Sequence, residues 1–159
     1  MVGIFFFVVY NECTKGEAKM FLGSFRHQID QKNRMRIPTK FKQGLGSNFV
    51  ITKGTNKCLF LLPENDSGLL SKIAELPVFD LEAQKSVRAV LSSAFEAVED
   101  GQGRVLLPKE LVAHAGIVKN IVFVGVGERV EIWAEENWDN YNKDVDFDAA
   151  AESLKKFGV

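Results

Sequence analysis

The sequence predicts an α+β fold, mainly β, made of two copies of one strand-turn-strand-helix-strand-strand unit with helices flanking them. The first observation behind this is an internal repeat. Asp30-Gln-Lys-Asn-Arg34-Met-Arg-Ile-Pro38 returns as Asp100-Gly-Gln-Gly-Arg104-Val-Leu-Leu-Pro108, and self-similarity of this kind marks copies of one supersecondary unit. The second is that the match extends downstream of each copy: Asn48-Phe-Val-Ile pairs with Asn120-Ile-Val-Phe, and Phe60-Leu61-Leu62-Pro63-Glu64-Asn65 with Ile132-Trp133-Ala134-Glu135-Glu136-Asn137. The third is period: apolar residues alternate by two around the repeated motifs and recur at three and four between and after them. The boundaries that result are an extension at 1–19, a first repeat at 20–66, a helical linker at 67–94, a second repeat at 95–142 and a tail at 143–159. In a chain of 159 residues, repeats of roughly 50 residues are marginal alone, so the halves are expected to share a core or to recruit other copies.

Element by element, Gly3-Ile-Phe-Phe-Phe-Val-Val-Tyr10 is a continuous apolar run succeeded by polar residues. It is too short to span a bilayer and lacks the charge and cleavage pattern of a signal peptide, so an extra strand or a flexible extension is expected. Phe25, His27 and Ile29 share one face of a strand, with Arg26 and Gln28 on the other. Asp30 to Asn33 is turn chemistry, since Asp accepts backbone donors and Asn tolerates a left-handed backbone. A second strand then places Met35 and Ile37 inward and Arg34 and Arg36 outward, until Pro38 ends it. Thr39 to Gly44 fits one short helical turn closed by glycine. Phe49–Thr52 and Leu59–Leu62 are strands around Lys53-Gly-Thr-Asn-Lys57. Helical spacing runs over Leu69–Leu76 and Leu81–Val98. The second repeat has Val105 and Leu107 inward, a helix at Lys109–Ala115 stopped by Gly116, and strands at Ile121–Val126 and Val130–Trp133 joined by Gly127-Glu128. Asn137 to Tyr141 begins a C-terminal helical region interrupted around Val145 to Phe147.

Charge is polarised along the chain although the formal net charge is only -1. Between Arg26 and Lys42 six bases (Arg26, Lys32, Arg34, Arg36, Lys40, Lys42) face one acid, Asp30, whereas Glu128 to Val159 holds nine acids against four bases. The matching stretch of the second copy is neutral, because Glu99, Asp100 and Glu110 offset Arg104, Lys109 and Lys119. The first copy therefore carries the anion-seeking end. Two cysteines, Cys13 and Cys58, lack the spacing of a disulfide framework or zinc site, and Cys58 fits a small core hydrophobe. His27 and His114 stand alone, Ser92-Ser93 has no nucleophile-elbow setting, and Gly125-x-Gly leads into a strand rather than a helix, so no catalytic residue, metal or cofactor is expected. Trp133 and Trp138 fit core or interface positions.

An arginine fork suits phosphate oxygens or the O6/N7 edge of guanine, and a strand-turn-strand with outward arginines can enter a major groove. Lys32, Lys40 and Lys42 fit phosphate contacts, and Arg34 or Arg36 fits base reading. The competing reading is structural: an Asp four residues before an Arg can form an ion pair that locks the turn. That reading is favoured for Asp100 and Arg104 by the neutral second copy, and stays open for Asp30 and Arg34.

Met20-Phe-Leu-Gly-Ser-Phe25, the paired Asp30-x-Lys-x-Arg34-x-x-x-Pro38 and Asp100-x-x-Gly-Arg104-x-x-x-Pro108, Gly44 to Phe49, and Gly125-x-Gly-x-Arg-Val-Glu-Ile-Trp133 together resemble the MraZ family. The resemblance covers Met20 to about Tyr141 and implies a natural start at Met20. It also implies two AbrB-like, swapped-hairpin halves forming a double-psi-like barrel, and ring-shaped homo-oligomers. The implied role is a transcriptional regulator of the division and cell-wall gene cluster that binds short direct repeats in double-stranded DNA. The implied setting is cytoplasmic and nucleoid-associated, with no membrane or small-molecule partner. By position, the family's Asp-x-x-x-Arg pairs fall on Asp30 with Arg34 and Asp100 with Arg104. One departure is Asn33, where the first family motif usually has glycine. The competing reading is an antitoxin-like module that binds a protein partner through the acidic tail after Asp144.

Overall fold

A computed structural model describes residues 20–63 and 68–159; the apolar run at 3–10 and the Glu64-Asn65 part of the internal match lie outside the described residues. The first half contains β1 (Phe21–Gln28), β2 (Arg34–Met35), α1 (Thr39–Leu45), β3 (Asn48–Lys53) and β4 (Leu59–Leu62). Two connecting helices come next, α2 (Leu69–Ala74) and α3 (Leu81–Leu91). The second half repeats the order with β5 (Phe95–Val98), β6 (Val105–Leu106), α4 (Lys109–Ala115), β7 (Asn120–Gly127) and β8 (Val130–Ala134), then α5 (Glu135–Asn142) and α6 (Phe147–Lys155).

Six strands form one antiparallel sheet in the order β1-β7-β8-β4-β3-β5, and β2 pairs with β6 in a separate two-stranded ribbon. The halves exchange their leading strands. β1 of the first lies along β7 of the second, from Phe21 opposite Gly127 to Gln28 opposite Asn120, while β5 of the second lies along β3 of the first. Matching positions of the two copies meet in one core: Met35 and Val105, Ile37 and Leu107, Phe41 and Leu111, Leu45 and Ala115 are all buried. Each large side chain of that set contributes about 1.5–3 kcal/mol by leaving water. This is why neither half needs to be stable alone.

Backbone geometry depends on small residues at two places. At Gly125, opposite Gly23, a Cβ would stand 2.5 Å from the Leu22 amide nitrogen, so β1 can approach β7 only because the side chain is missing. Gly116 ends α4 with φ 62, the left-handed position where glycine costs least. The closing residue of α1 is Gly46, with φ 82, rather than Gly44. Gly44 sits inside the helix, where a Cβ would come within 2.6 Å of the Phe21 ring.

The helical spacing at Leu81–Val98 resolves into two elements. α3 ends at Leu91, the Ser93 hydroxyl turns back to the Val90 carbonyl at 2.8 Å, and Phe95–Val98 becomes β5 along β3. Sheet pairing with a partner far along the chain overrides the local three-and-four spacing. Buried Thr52 meets this corner, within 3.1 Å of the Ser93 hydroxyl. On the outer face of β8, Glu131 is buried but satisfied: it accepts from Trp133 Nε1 at 2.9 Å and from Arg129 Nη2 at 2.9 Å. Trp133 is buried beneath Trp138 and Tyr141 of α5, with ring centroids 5.4 and 4.9 Å away. Cys58 is also buried, and desolvation pushes its thiol up to about 12. The tail beyond Asp144 is helical at α6, where the Asp146 side chain accepts from the Asp148 amide at 3.0 Å.

Candidate nucleic-acid interface

Each half ends its leading strand in a turn built by one aspartate. In the first, Asp30 Oδ1 accepts from the amides of Lys32 and Arg34, both at 2.9 Å, and Oδ2 accepts from Arg34 Nε at 2.7 Å. In the second, Asp100 Oδ1 accepts from the amides of Gln102 at 2.8 Å and Arg104 at 2.9 Å, and Oδ2 from Arg104 Nε at 2.9 Å. The fourth turn residue is left-handed in both, Asn33 with φ 58 and Gly103 with φ 70. The backbone amides of Arg34 and Arg104, foremost among the donors, hold the Asp30 and Asp100 carboxyls below the usual carboxylate range. The two ion pairs are alike, with the arginine side chains 26% and 23% exposed, so pairing alone does not give the two arginines different roles. Each pair uses Nε, which leaves the terminal Nη fork outside the carboxylate bond.

The turns lead into the ribbon. Arg34 stands opposite Leu106, and Met35 opposite Val105. Met35 and Val105 are buried, and strand alternation puts Arg34, Arg36, Arg104 and Leu106 on the outer side. Arg34 within β2, and Arg36 and Arg104 one residue outside the paired strands, thus share one side of the ribbon. The face borders a groove of about 790 Å³ whose walls include Asp30, Arg34, Arg36, Arg104, His27 and Lys119. Lys119 and the second-copy Arg104 join this wall by folding alone. The repeat marks Arg104 as the counterpart of Arg34 but does not say that the two meet, no spacing relates Lys119 to either, and the neutral balance of the second copy conceals both.

The remaining first-copy cations have different surroundings. Arg26 bonds Glu135 at 2.6 Å and Asp139 at 2.7 Å, tying β1 to α5. These partners raise its pKa further, and the same bond holds the Asp139 carboxyl low. Lys42 Nζ lies 2.9 Å from Glu99 Oε1. Arg36 Nη1 donates to the Gln102 carbonyl at 2.5 Å. Lys40 Nζ sits 5.8 Å from the centroid of the Phe25 ring, and Lys32 is exposed at the tip of the first turn. Among the described residues no group of three His, Cys, Asp or Glu side chains could hold a metal ion, and no helix is long and apolar enough to cross a membrane.

Two strand-exchanged halves that bring paired Asp-Arg turns to one arginine-rich ribbon define a tandem-repeat α+β protein with an anion-seeking face. A family model described as "MraZ protein, putative antitoxin-like" matches residues 20–88 and again residues 90–158, so each match runs past the strands into the helices beyond them. A protein of Natranaerobius thermophilus named "Transcriptional regulator MraZ" is 43% identical over 143 residues, covering 88% of this chain and all of that protein. Proteins of the same name from Clostridium beijerinckii and Desulforamulus reducens are 44% and 42% identical, over 88% and 85% of this chain and 100% and 97% of their own length. The chain belongs to the MraZ family of transcriptional regulators.

Proposed function

We propose that this chain regulates transcription by sequence-specific binding to double-stranded DNA, using the outer face of the β2–β6 ribbon and its two flanking turns. The carrying observation is the convergence of Arg34, Arg36 and Arg104 on that face beside a groove that Lys119 also lines. In this reading Arg34 and Arg104 offer their Nη forks to base edges or phosphates, while exposed Lys32 and Lys40 add phosphate contacts. Arg26 serves α5 instead, because Glu135 and Asp139 already meet its charge. The repeats at 20–66 and 95–142 act as one unit, read as AbrB-like swapped hairpins in a double-psi-like barrel; the exchange of β1 and β5 between halves supports this. The DNA target is short direct repeats upstream of the division and cell-wall gene cluster, met by a ring of subunits in the nucleoid region of the cytoplasm. A ring suits such a target because repeated weak contacts gain effective concentration on repeated sites.

A second reading is favoured by one observation: Phe147, Leu154 and Phe157 around α6 are exposed apolar side chains in an acidic region. Such a helix could dock on a basic protein partner, as an antitoxin-like module does. The test for the main reading is a binding titration with the region upstream of the chain's own gene and a scrambled duplex, at two salt concentrations. Preference for the native repeats is the expected outcome. Equal, salt-sensitive binding leaves only a charged surface, and no binding to either favours the protein-partner reading.

A further inference from the structure

Two cations of the first half converge on the turn of the second. Lys42, on α1, pairs with Glu99 just before that turn, and Arg36, beyond β2, donates to the Gln102 carbonyl within it. Both cations reach the same turn residue: a Cβ built on Gly103 would lie in van der Waals contact with each, 3.5 Å from Lys42 Nζ and 3.6 Å from Arg36 Nη1. The repeat makes the side-chain clamp one-sided, the first turn being held from the second half by the Leu107 amide, which donates to the Asn33 carbonyl at 2.8 Å. The positions matching Arg36 and Lys42 are Leu106 and Val112, and the one matching Glu99 is Ile29, which is buried in the core. The second half therefore cannot clamp the first turn with the same side chains.

We propose that Lys42 and Arg36 are positioning residues, which hold the second turn in register with the first, and that Lys42 is not itself a phosphate contact. This inference rests on the DNA-binding reading above and deepens it. Glu99 then becomes a specificity-determining acid beside an arginine-rich face whose other acids, Asp30 and Asp100, are bound into their own turns. An acid near DNA opposes binding electrostatically, so its placement against Lys42 makes sense if the pair fixes geometry rather than attracts phosphate. The same placement explains how a neutral second copy takes part in recognition: its turn is positioned by charges borrowed from the first.

The test compares Glu99→Gln, Lys42→Gln, the double variant and Lys42→Arg with the unmodified chain. The probes are a labelled duplex of the region upstream of the chain's own gene and a scrambled duplex of equal composition. Each single change is expected to lower the ratio of native to scrambled affinity about two- to fivefold, the range of an exposed ion pair. The double variant should lose no more than either single one, because one shared interaction is removed. Lys42→Arg should keep the ratio. The dependence of affinity on salt should keep its slope in Lys42→Gln. A slope reduced by about 0.9, the signature of one lost phosphate contact, overturns the proposal, as does a Glu99→Gln variant that binds both duplexes more tightly at an unchanged ratio. Amide exchange without DNA separates the two levels. It should quicken over residues 99–103 in both single variants and stay unchanged over residues 29–33. Unchanged exchange at 99–103 overturns the clamp whatever the DNA result, whereas an unmodified chain that prefers neither duplex overturns the regulator reading and leaves the clamp to the exchange result.

Discussion

In the first half the exchanged strand β1 runs beside β7 from Phe21 to Gln28, whereas in the second the corresponding β5 meets β3 only from Phe95 to Val98. The turns after these strands differ in the opposite sense. They have the same aspartate and the same arginine bond, but among the described residues the second is gripped by side chains of the other half, Lys42 and Arg36, whereas the first is met by a backbone donor, the Leu107 amide to the Asn33 carbonyl at 2.8 Å. A long strand contact anchors one half, and a short strand contact with a charged grip anchors the other. Duplicated sequence therefore need not mean duplicated support: the local rule is kept where the backbone demands it, and its surroundings are free to diverge.

The largest expected effect comes from breaking the longer exchange. Gly125→Val would drive a branched side chain against the Phe21 and Leu22 backbone, 2.5–2.8 Å from the Cβ position. We expect a loss of about 3 kcal/mol or more, since backbone cannot rotate away, and denaturant unfolding measures it. Next comes the comparison of Arg34→Ala with Arg104→Ala. Their matched pairs predict similar losses of stability, and each should weaken specific binding about tenfold or more if its fork reads the duplex; parallel melting and binding titrations separate the two effects. Normal binding by either folded variant would make that arginine purely structural.

Asp30→Ala and Asp100→Ala each remove three accepted hydrogen bonds. Melting temperatures should fall by similar amounts, on the order of 5 °C. The same groups set an acid limit. Their folded-state carboxyls are held low, so the turns' contribution is fully present above the ordinary carboxylate pKa and is lost as pH falls through the depressed values. Melting curves from neutral pH down to about pH 3 should show that loss, and it should be reduced in the double alanine variant. The smallest effect distinguishes the turn tips. Gly103→Ala places a Cβ at φ 70 and should cost about 1 kcal/mol, while Asn33→Gly at φ 58 should change stability by about 0.5 kcal/mol or less.

The local grammar of this fold was legible in the residues. Leu59–Leu62, an apolar run after a turn, and Lys109–Ala115, stopped by Gly116, are elements with the bounds the sequence predicts. The buried Met35, Ile37, Val105 and Leu107 obey the same alternation. The features that were not legible depend on distant partners. Phe95–Val98 carries helical spacing, yet its hydrogen bonds go to β3. The cations read as one basic stretch are divided by folding, because Glu135, Asp139, Glu99 and the Gln102 carbonyl come from the other half. Net charge along a sequence counts ionised groups and is blind to which of them will be neighbours.

The exchange of β1 and β5 has one more consequence. The connection between halves runs through α2 and α3 at the surface, with Val78 72% and Phe79 97% exposed, while the strands that join the halves lie in the sheet. A backbone nick between Pro77 and Asp80 would cut the covalent link and leave the interlock in place. The two fragments are expected to elute as one species in native buffer and to come apart only when the sheet melts, a covalent cut without a separation of parts.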